Sequence, residues 1–240
     1  MEQVTVLCCY NNKSEFEKLK KSLSDQSVKV ALIGIDNTED TYSSCAAAFN
    51  EYLNKVHTEY VVFSHQDIVL PDKELMKQFI EVIKDNNMYD IVGVAGRNEE
   101  GHVLTNIYHG NELKYAGEKR VNKTELCDTI DECFFGGYTK GFVEYPFDEK
   151  LCNNWHLYAV DRCLDARTRG NKVFVCGIPI LHKSMGKIND VYNWQFYKLS
   201  KKYKNNFNFI NTTCAFASTI FPKREIAFIK RAISIKLGRY

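Results

Sequence analysis

Long hydrophobic runs are missing from this 240-residue chain. Nothing approaches the roughly 20 consecutive apolar residues that a bilayer-spanning helix needs. The first apolar run, Val4 to Cys9, is too short for the core of a secretory signal, and Met1-Glu2-Gln3 carries no basic residue. A marked charge excess is absent as well: 32 Lys and Arg stand against 30 Asp and Glu. That balance argues against a general nucleic-acid binder and leaves any basic site to be local. No C-x-x-C pair occurs, so a zinc ribbon is not expected. The nine cysteines are odd in number and irregularly spaced, which makes a poor disulfide framework. Cys8 and Cys9 lie in an apolar run and read as reduced core residues. A reducing, cytoplasmic setting follows, in which the sequons at Asn12, Asn122 and Asn211 carry no weight. Internal repeats and low-complexity linkers are also lacking.

What is present is a core-forming composition, 45% hydrophobic, in a length that suits one sizeable α/β domain. Val4 to Cys9 reads as a buried strand ended by the turn Tyr10-Asn11-Asn12. Ser14 and Glu17 fit a capping box, and Phe16, Leu19 and Leu23 recur at helical spacing to about Ser24. Val28 to Ile35 is a second strand. A helix follows over Ser44 to Lys55, then a strand at Tyr60 to Phe63. A helix capped by Asp72 carries Leu75, Phe79, Ile80 and Ile83 on one face, and Ile91 to Ala95 is a fourth strand. From Glu99 to Cys133 the pattern is irregular. Order returns at Phe134 to Tyr138, with a helix over Trp155 to Arg169 stopped by Gly170. Strands follow at Lys172 to Cys176 and Ile178 to His182.

Alternating strands and helices at this pitch predict βαβ units and a mostly parallel, twisted sheet with helices on both faces. In such sheets ligands sit outside the carboxyl ends of the strands. Three strand ends would bring Tyr10, Asn11, Asp36, Asn37, His65 and Asp67 to one edge. Turn chemistry alone also accounts for Asn and Asp at these places.

The ordered set of motifs resembles the family 2-like GT-A glycosyltransferases that build bacterial surface polysaccharides. CCYNN at the first strand, IGIDN at the second, Asn50 in the next helix and EYVVFSHQDIVLP at the third carry the N-terminal half of the likeness. PFDEKLCNNWHLYAVDRCLDARTRGNKVFVCGIPILHKSMG resembles the acceptor half. The likeness covers about residues 4 to 186. It implies a GT-A domain over residues 1–220, a nucleotide-sugar donor with UDP favoured, a divalent cation (Mn²⁺ or Mg²⁺), and a glycan or lipid-linked acceptor.

The resemblance also assigns residues. Asp67 stands at the last, metal-binding Asp of the family's Asp-x-Asp motif, while His65 replaces the first. His182 matches a late metal-binding His. A cation there would neutralise charge on the departing diphosphate, and histidine with carboxylate suits Mn²⁺ better than Ca²⁺. Capping of strand ends is the plain alternative for both histidines. Asp36 resembles the uracil- or ribose-contacting acid, with Tyr10, Asn11, Asn37 and Gln66 lining the nucleotide pocket. Gly136 and Gly137 fall in a small-residue segment beneath the sugars, where glycine permits close approach to a ligand or a bend. Trp155 would offer an indole wall to a sugar face.

An inverting transferase needs a base on the acceptor side. The family's Glu-Asp pair falls on Tyr158-Ala159, which cannot serve. Asp161 and His156 are the substitutes, and Asp148-Glu149 is read as fixing its loop. Last, residues 221–240 read as a basic amphipathic helix. Ile226, Ile229, Ile233 and Leu237 recur among Lys and Arg, suited to an anionic membrane at the inner face of the cell, to the core, or to a partner subunit. This tail is expected to be dispensable for folding. Two rival classes remain open. One is a nucleotidyltransferase, which would want glycines in the Tyr10-Asn11-Asn12 turn. The other is a non-catalytic sugar- or nucleotide-binding descendant.

Overall fold

The computed structural model describes residues 3–110, 114–117, 119–184 and 188–239. Met1, Glu2, part of the irregular middle, Met185 and Gly186 of HKSMG, and Tyr240 of the tail lie outside them. The N-terminal half alternates strand and helix as the periodicity predicts: β1 (Val4–Tyr10), α1 (Lys13–Ser24), β2 (Val30–Asp36), α2 (Cys45–Leu53), β3 (Tyr60–Ser64) and α3 (Leu75–Lys84). The caps differ in detail. Asn12, not Ser14, caps α1: its backbone is extended and its side chain accepts from the Glu15 amide at 3.2 Å. Asparagine is as good an N-cap as serine, so the helix starts one residue before Ser14. Asp72 accepts from the Glu74 amide at 2.8 Å in the turn ahead of α3 instead of capping it.

One seven-stranded sheet organises the chain, in the order Glu125–Leu126, Val173–Val175, Ile91–Gly93, Phe134–Tyr138, β3, β1, β2. All its strands run the same way except Phe134–Tyr138 and Glu125–Leu126. Alternation along each strand splits the core. Val4, Val6 and Cys8 of β1 with Tyr60 and Val62 of β3 pack under α1 and α3. Leu7, Val61 and Phe63 face α2, α4 (Thr139–Glu144) and α5 (Tyr158–Thr168). The expected strand Ile91 to Ala95 breaks at Val94. Ile91–Gly93 stays in the main sheet, while Ala95–Arg97 pairs with Val103–Thr105 and Thr129–Ile130 in a second one.

Two further elements shape the site. Ile180–His182 pairs antiparallel with Ile68–Val69 and parallel with Ile107–His109. The expected start of α5 at Trp155 moves to Tyr158 because Leu157 adopts a left-handed φ of 65°, which a non-glycine residue holds only under local compulsion. Trp155 and His156 therefore lie in the loop before the helix. Asn154 accepts from the His156 amide, and Gln195 donates to the His156 carbonyl.

A third core joins α5 to α6 (Asp190–Lys202), the hairpin Phe209–Asn211/Phe216–Ser218, and α7 (Lys223–Lys236) through Phe228. The basic tail is thus a helix, as its pattern predicts, but its docking face is not the isoleucine stripe. Arg224, Phe228 and Arg231 are buried, whereas Ile226, Ile229, Ile233 and Leu237 are each about half exposed or more. Arg224 donates to the Thr219 carbonyl, and Arg231 to Asn193 and the Phe216 carbonyl. The tail, expected to be dispensable for folding, contributes Phe228 to a core that α5 and α6 share.

Candidate active site

The carboxyl edge of β1, β2 and β3 opens into a cavity of about 1040 Å³. Gln66, just beyond β3, ties it to β1. Its carbonyl oxygen accepts from the Asn11 and Asn12 amides at 3.0 and 2.8 Å, and its amide donates to Asn11 Oδ1 at 2.9 Å. Tyr10 donates its phenol to Asp36 at 3.1 Å and stacks on Phe16 with ring centroids 4.1 Å apart, so one face of the ring is already taken. Asp36 also accepts from the Thr38 amide and hydroxyl and pairs with Lys13. The Thr38 contacts chiefly hold its carboxyl down to about 2. Asn37 is buried and clamps the backbone of Tyr42. Tyr10, Asn11, Asn37 and Gln66 line the cavity; Asp36 adjoins it through Tyr10.

The strand pairing explains the next group. Register places His182 opposite Ile68, next to Asp67, while His65 follows directly after β3. The ligand atoms of His65, Asp67 and His182 all lie within 4.8 Å of one another. His182 Nε2 is 3.5 Å from Asp67 Oδ1, and the Ser184 amide donates to Asp67 Oδ2 at 3.0 Å. Burial alone would raise the Asp67 carboxyl, but the His182 ring and the Ser184 side chain outweigh it and hold the group well below the usual carboxylate range. Burial, then the neighbouring His182, lowers His65. A neutral imidazole beside an ionised carboxylate is the form in which these groups bind metal. Two imidazoles and one carboxylate fit a divalent transition ion such as Mn²⁺.

Across the cavity lie Trp155, which is 40% exposed, and His156, whose ring stands edge-on to Tyr192 at 5.6 Å. Burial lowers His156 as well. Asp161, the other expected base, is not in the lining. It is buried on α5, where it accepts from Lys202 Nζ at 2.8 Å and Tyr203 Oη at 2.9 Å. Tyr158 and Ala159, at the place of the family's acidic pair, are fully buried in the core under the sheet. Asp148 and Glu149 act as read. Asp148 caps the Lys150 and Leu151 amides, and Asn50 binds Glu149 and both the amide and the carbonyl of Phe147.

Gly136 and Gly137 are corrected in the same way. Both sit within the sheet, absent from the lining. A Cβ on Gly136 would stand 2.2 Å from the Val61 carbonyl oxygen, and one on Gly137 3.0 Å from that of Asp90. The close approach that glycine allows is to neighbouring backbone, not to a ligand. Missing from the sequence reading are Asp131, Glu132, Thr213 and Cys214, which line the cavity. The first two carried a usable signal: a pair of acids opening a buried strand that runs back across the sheet must start at the same edge where β3 ends.

A mostly parallel sheet flanked by helices on both faces is the layout of GT-A nucleotide-diphospho-sugar transferases. The sequence model of the family described as Glycosyltransferase like family matches residues 5–212, and the chain belongs to that family. Solved structures agree on the fold. GalNAc-T7, determined with UDP, GalNAc and Mn²⁺, superposes with a TM-score of 0.63 at 9% identity over 86% of this chain. The chain spans only 49% of that molecule. Staphylococcus aureus TarS 1–349, in complex with UDP-GlcNAc, gives 0.61 at 11% identity over 99% of this chain and 73% of its own. A Fuscovulum blasticum protein described as ATP synthase subunits region ORF 6 is 22% identical over 185 residues, 75% of this chain and 73% of that one. All nine cysteines are free thiols, and no helix among the described residues is long and apolar enough to cross a membrane.

Proposed function

We propose that the protein is an inverting, divalent-metal-dependent glycosyltransferase that moves a sugar from a nucleotide-diphosphate donor, UDP-linked by preference, to a glycan or lipid-linked acceptor in bacterial surface polysaccharide synthesis. The observation that carries this reading is the His65–Asp67–His182 cluster at the carboxyl edge of β3, beside the loops at the ends of β1 and β2. Mn²⁺ or Mg²⁺ held by these three side chains would supply positive charge to a leaving diphosphate. Tyr10, Asn11 and Asn37 offer polar groups to a nucleotide, and Asp36 an acceptor for its sugar or base. Trp155 and His156 stand on the side from which an acceptor would enter. The Mn²⁺ with GalNAc-T7 and the UDP-GlcNAc with TarS support the same reading.

The exposed isoleucine stripe of α7, bordered by the exposed Lys223, Lys230 and Lys236, supports contact with an anionic membrane at the cytoplasmic face, where a lipid-linked acceptor would reside. A non-catalytic descendant is the second reading, favoured by the burial of Tyr158 and Ala159 where an acidic pair is expected. Calorimetry of UDP binding with and without Mn²⁺, followed by UDP release from a panel of UDP-sugars, tests the proposal. Mn²⁺-enhanced UDP affinity with donor turnover is expected. Affinity indifferent to the metal would overturn the metal assignment, and binding without turnover would leave the non-catalytic reading.

A further inference from the structure

We infer that Glu132 is the catalytic residue that takes the proton from the acceptor hydroxyl. The inference rests on the transferase reading above. Among the described residues four acids line the cavity: Glu15, Asp67, Asp131 and Glu132. Three are already engaged. Glu15 pairs with Lys18 at 3.1 Å and with Lys183 at 2.6 Å. Asp67 belongs to the metal cluster and accepts from the Ser184 amide. Asp131 accepts from the Cys133 amide at 3.0 Å and from the Thr213 hydroxyl at 2.6 Å. Glu132 alone of the four has a carboxylate oxygen, Oε1, that is sealed from solvent without a hydrogen-bond partner. An orphaned oxygen of that kind costs folding free energy unless a ligand's donor completes it, and each instance in a native protein asks for a reason.

The topology brings Glu132 to the lining of the cavity. Phe134–Tyr138 runs antiparallel to β3 with Phe134 opposite Ser64, so the residues before it arrive beside His65. The His65 amide donates to the Cys133 carbonyl at 2.8 Å, one residue from Glu132. On the other side, the Glu132 carboxyl faces the amides of Leu157 and Tyr158 at the start of α5, next to Trp155 and His156. Glu132 thus stands between the metal cluster and the acceptor wall. From the turn ahead of a strand it restores the carboxylate that Tyr158 and Ala159 no longer supply from the helix.

The step balances without a further reactant. The acceptor oxygen bonds to the anomeric carbon as its proton passes to Glu132, and the bond from that carbon to the diphosphate breaks with its electron pair leaving on the nucleotide. Glu132 then returns the proton to solvent. Burial, with the charge of Asp131 second, pushes the Glu132 carboxyl well above the ordinary range against the pull of the two amides.

The test uses the full chain as wild type, Glu132→Gln, Glu132→Asp and His156→Ala. UDP release from UDP-glucose, UDP-galactose and UDP-GlcNAc with Mn²⁺ is measured beside Mn²⁺-dependent UDP binding. Glu132→Gln keeps size and hydrogen bonding but cannot take the proton. It should lower turnover by roughly 10²- to 10⁴-fold while leaving UDP affinity within about threefold. Glu132→Asp should recover part of the loss. Full turnover by Glu132→Gln, or a loss confined to His156→Ala, overturns the inference and leaves the transferase reading standing. Wild-type protein that binds UDP but consumes no donor overturns both.

Discussion

Replacing Asp161 with asparagine separates a structural role from a catalytic one, and the geometry fixes both the sign and the size of the effect. The carboxylate is 4% exposed and touches Lys202 Nζ and Tyr203 Oη; Lys202, 34% exposed, keeps a second partner in Asp148 at 3.0 Å. Burial raises the Asp161 pKa more than Lys202 and Tyr203 lower it, while Lys202, despite its own burial, is raised by the two acids. The cost of burying the charge on Asp161 therefore exceeds what its partners return. Asparagine removes that cost, still accepts from Tyr203, and leaves Lys202 with Asp148. The net change should lie within about 1 kcal/mol of zero, or roughly 2–4 °C in Tm for a chain of this size.

Asp161→Ala instead strips the Tyr203 hydroxyl of its partner and leaves a void, at a cost of about 2–3 kcal/mol. The pH dependence follows from the same sign. A carboxyl whose folded pKa is raised contributes stability that is fully present below about pH 4, its unfolded value, and is lost as pH rises through the folded value. Asp161→Asn should flatten that slope. Thermal unfolding followed by circular dichroism, paired with UDP release, is the assay. Turnover by Asp161→Asn should stay within about threefold of wild type. A loss of 10²-fold or more with Tm unchanged would show that Asp161 is the base and that its ion pair opens in the working enzyme.

The remaining expectations concern the metal, the sheet and the tail. Asp67→Ala should abolish the Mn²⁺ enhancement of UDP affinity, and His182→Ala should weaken it on the order of 10- to 100-fold; calorimetry that finds the enhancement intact in Asp67→Ala would remove the cluster from the mechanism. Gly136→Ala forces a Cβ against the Val61 carbonyl and should cost about 3 kcal/mol, read as a lower denaturant midpoint, with UDP affinity unchanged in the folded protein. Ile229→Glu with Ile233→Glu alters exposed positions only, so Tm should hold while co-sedimentation with phosphatidylglycerol vesicles falls. Equal co-sedimentation would exclude the stripe as a membrane face. Deleting residues after Pro222 removes buried Phe228 and should destabilise by about 3 kcal/mol or more, visible as a lower Tm.

The sequence by itself determined the layers and the edge. Period-2 alternation in Val4 to Cys9 and Tyr60 to Phe63 and period-3.6 stripes such as Leu75, Phe79, Ile80 and Ile83 are local consequences of which faces must leave water. They suffice to place the ends of β1, β2 and β3 together, and with them Tyr10, Asn11, Gln66 and Asp67. Distant pairings were decided only in three dimensions. His182 meets Asp67 because Ile180–His182 adds beside Ile68–Val69 across more than a hundred residues, a register that no local pattern encodes. Gly136 reads as a ligand contact until the Val61 carbonyl is seen against it. The alignment that offered Asp161 as a base could not reveal that Lys202 and Tyr203, from another helix and its end, had claimed it. Nor could the spacing of Ile226, Ile229, Ile233 and Leu237 say which stripe of α7 would dock. Two arginines whose guanidinium groups find backbone carbonyls, with Phe228 between them, took the buried face. Hydrophobic periodicity names the faces of a helix, but the partners available on the neighbouring elements decide which face is covered.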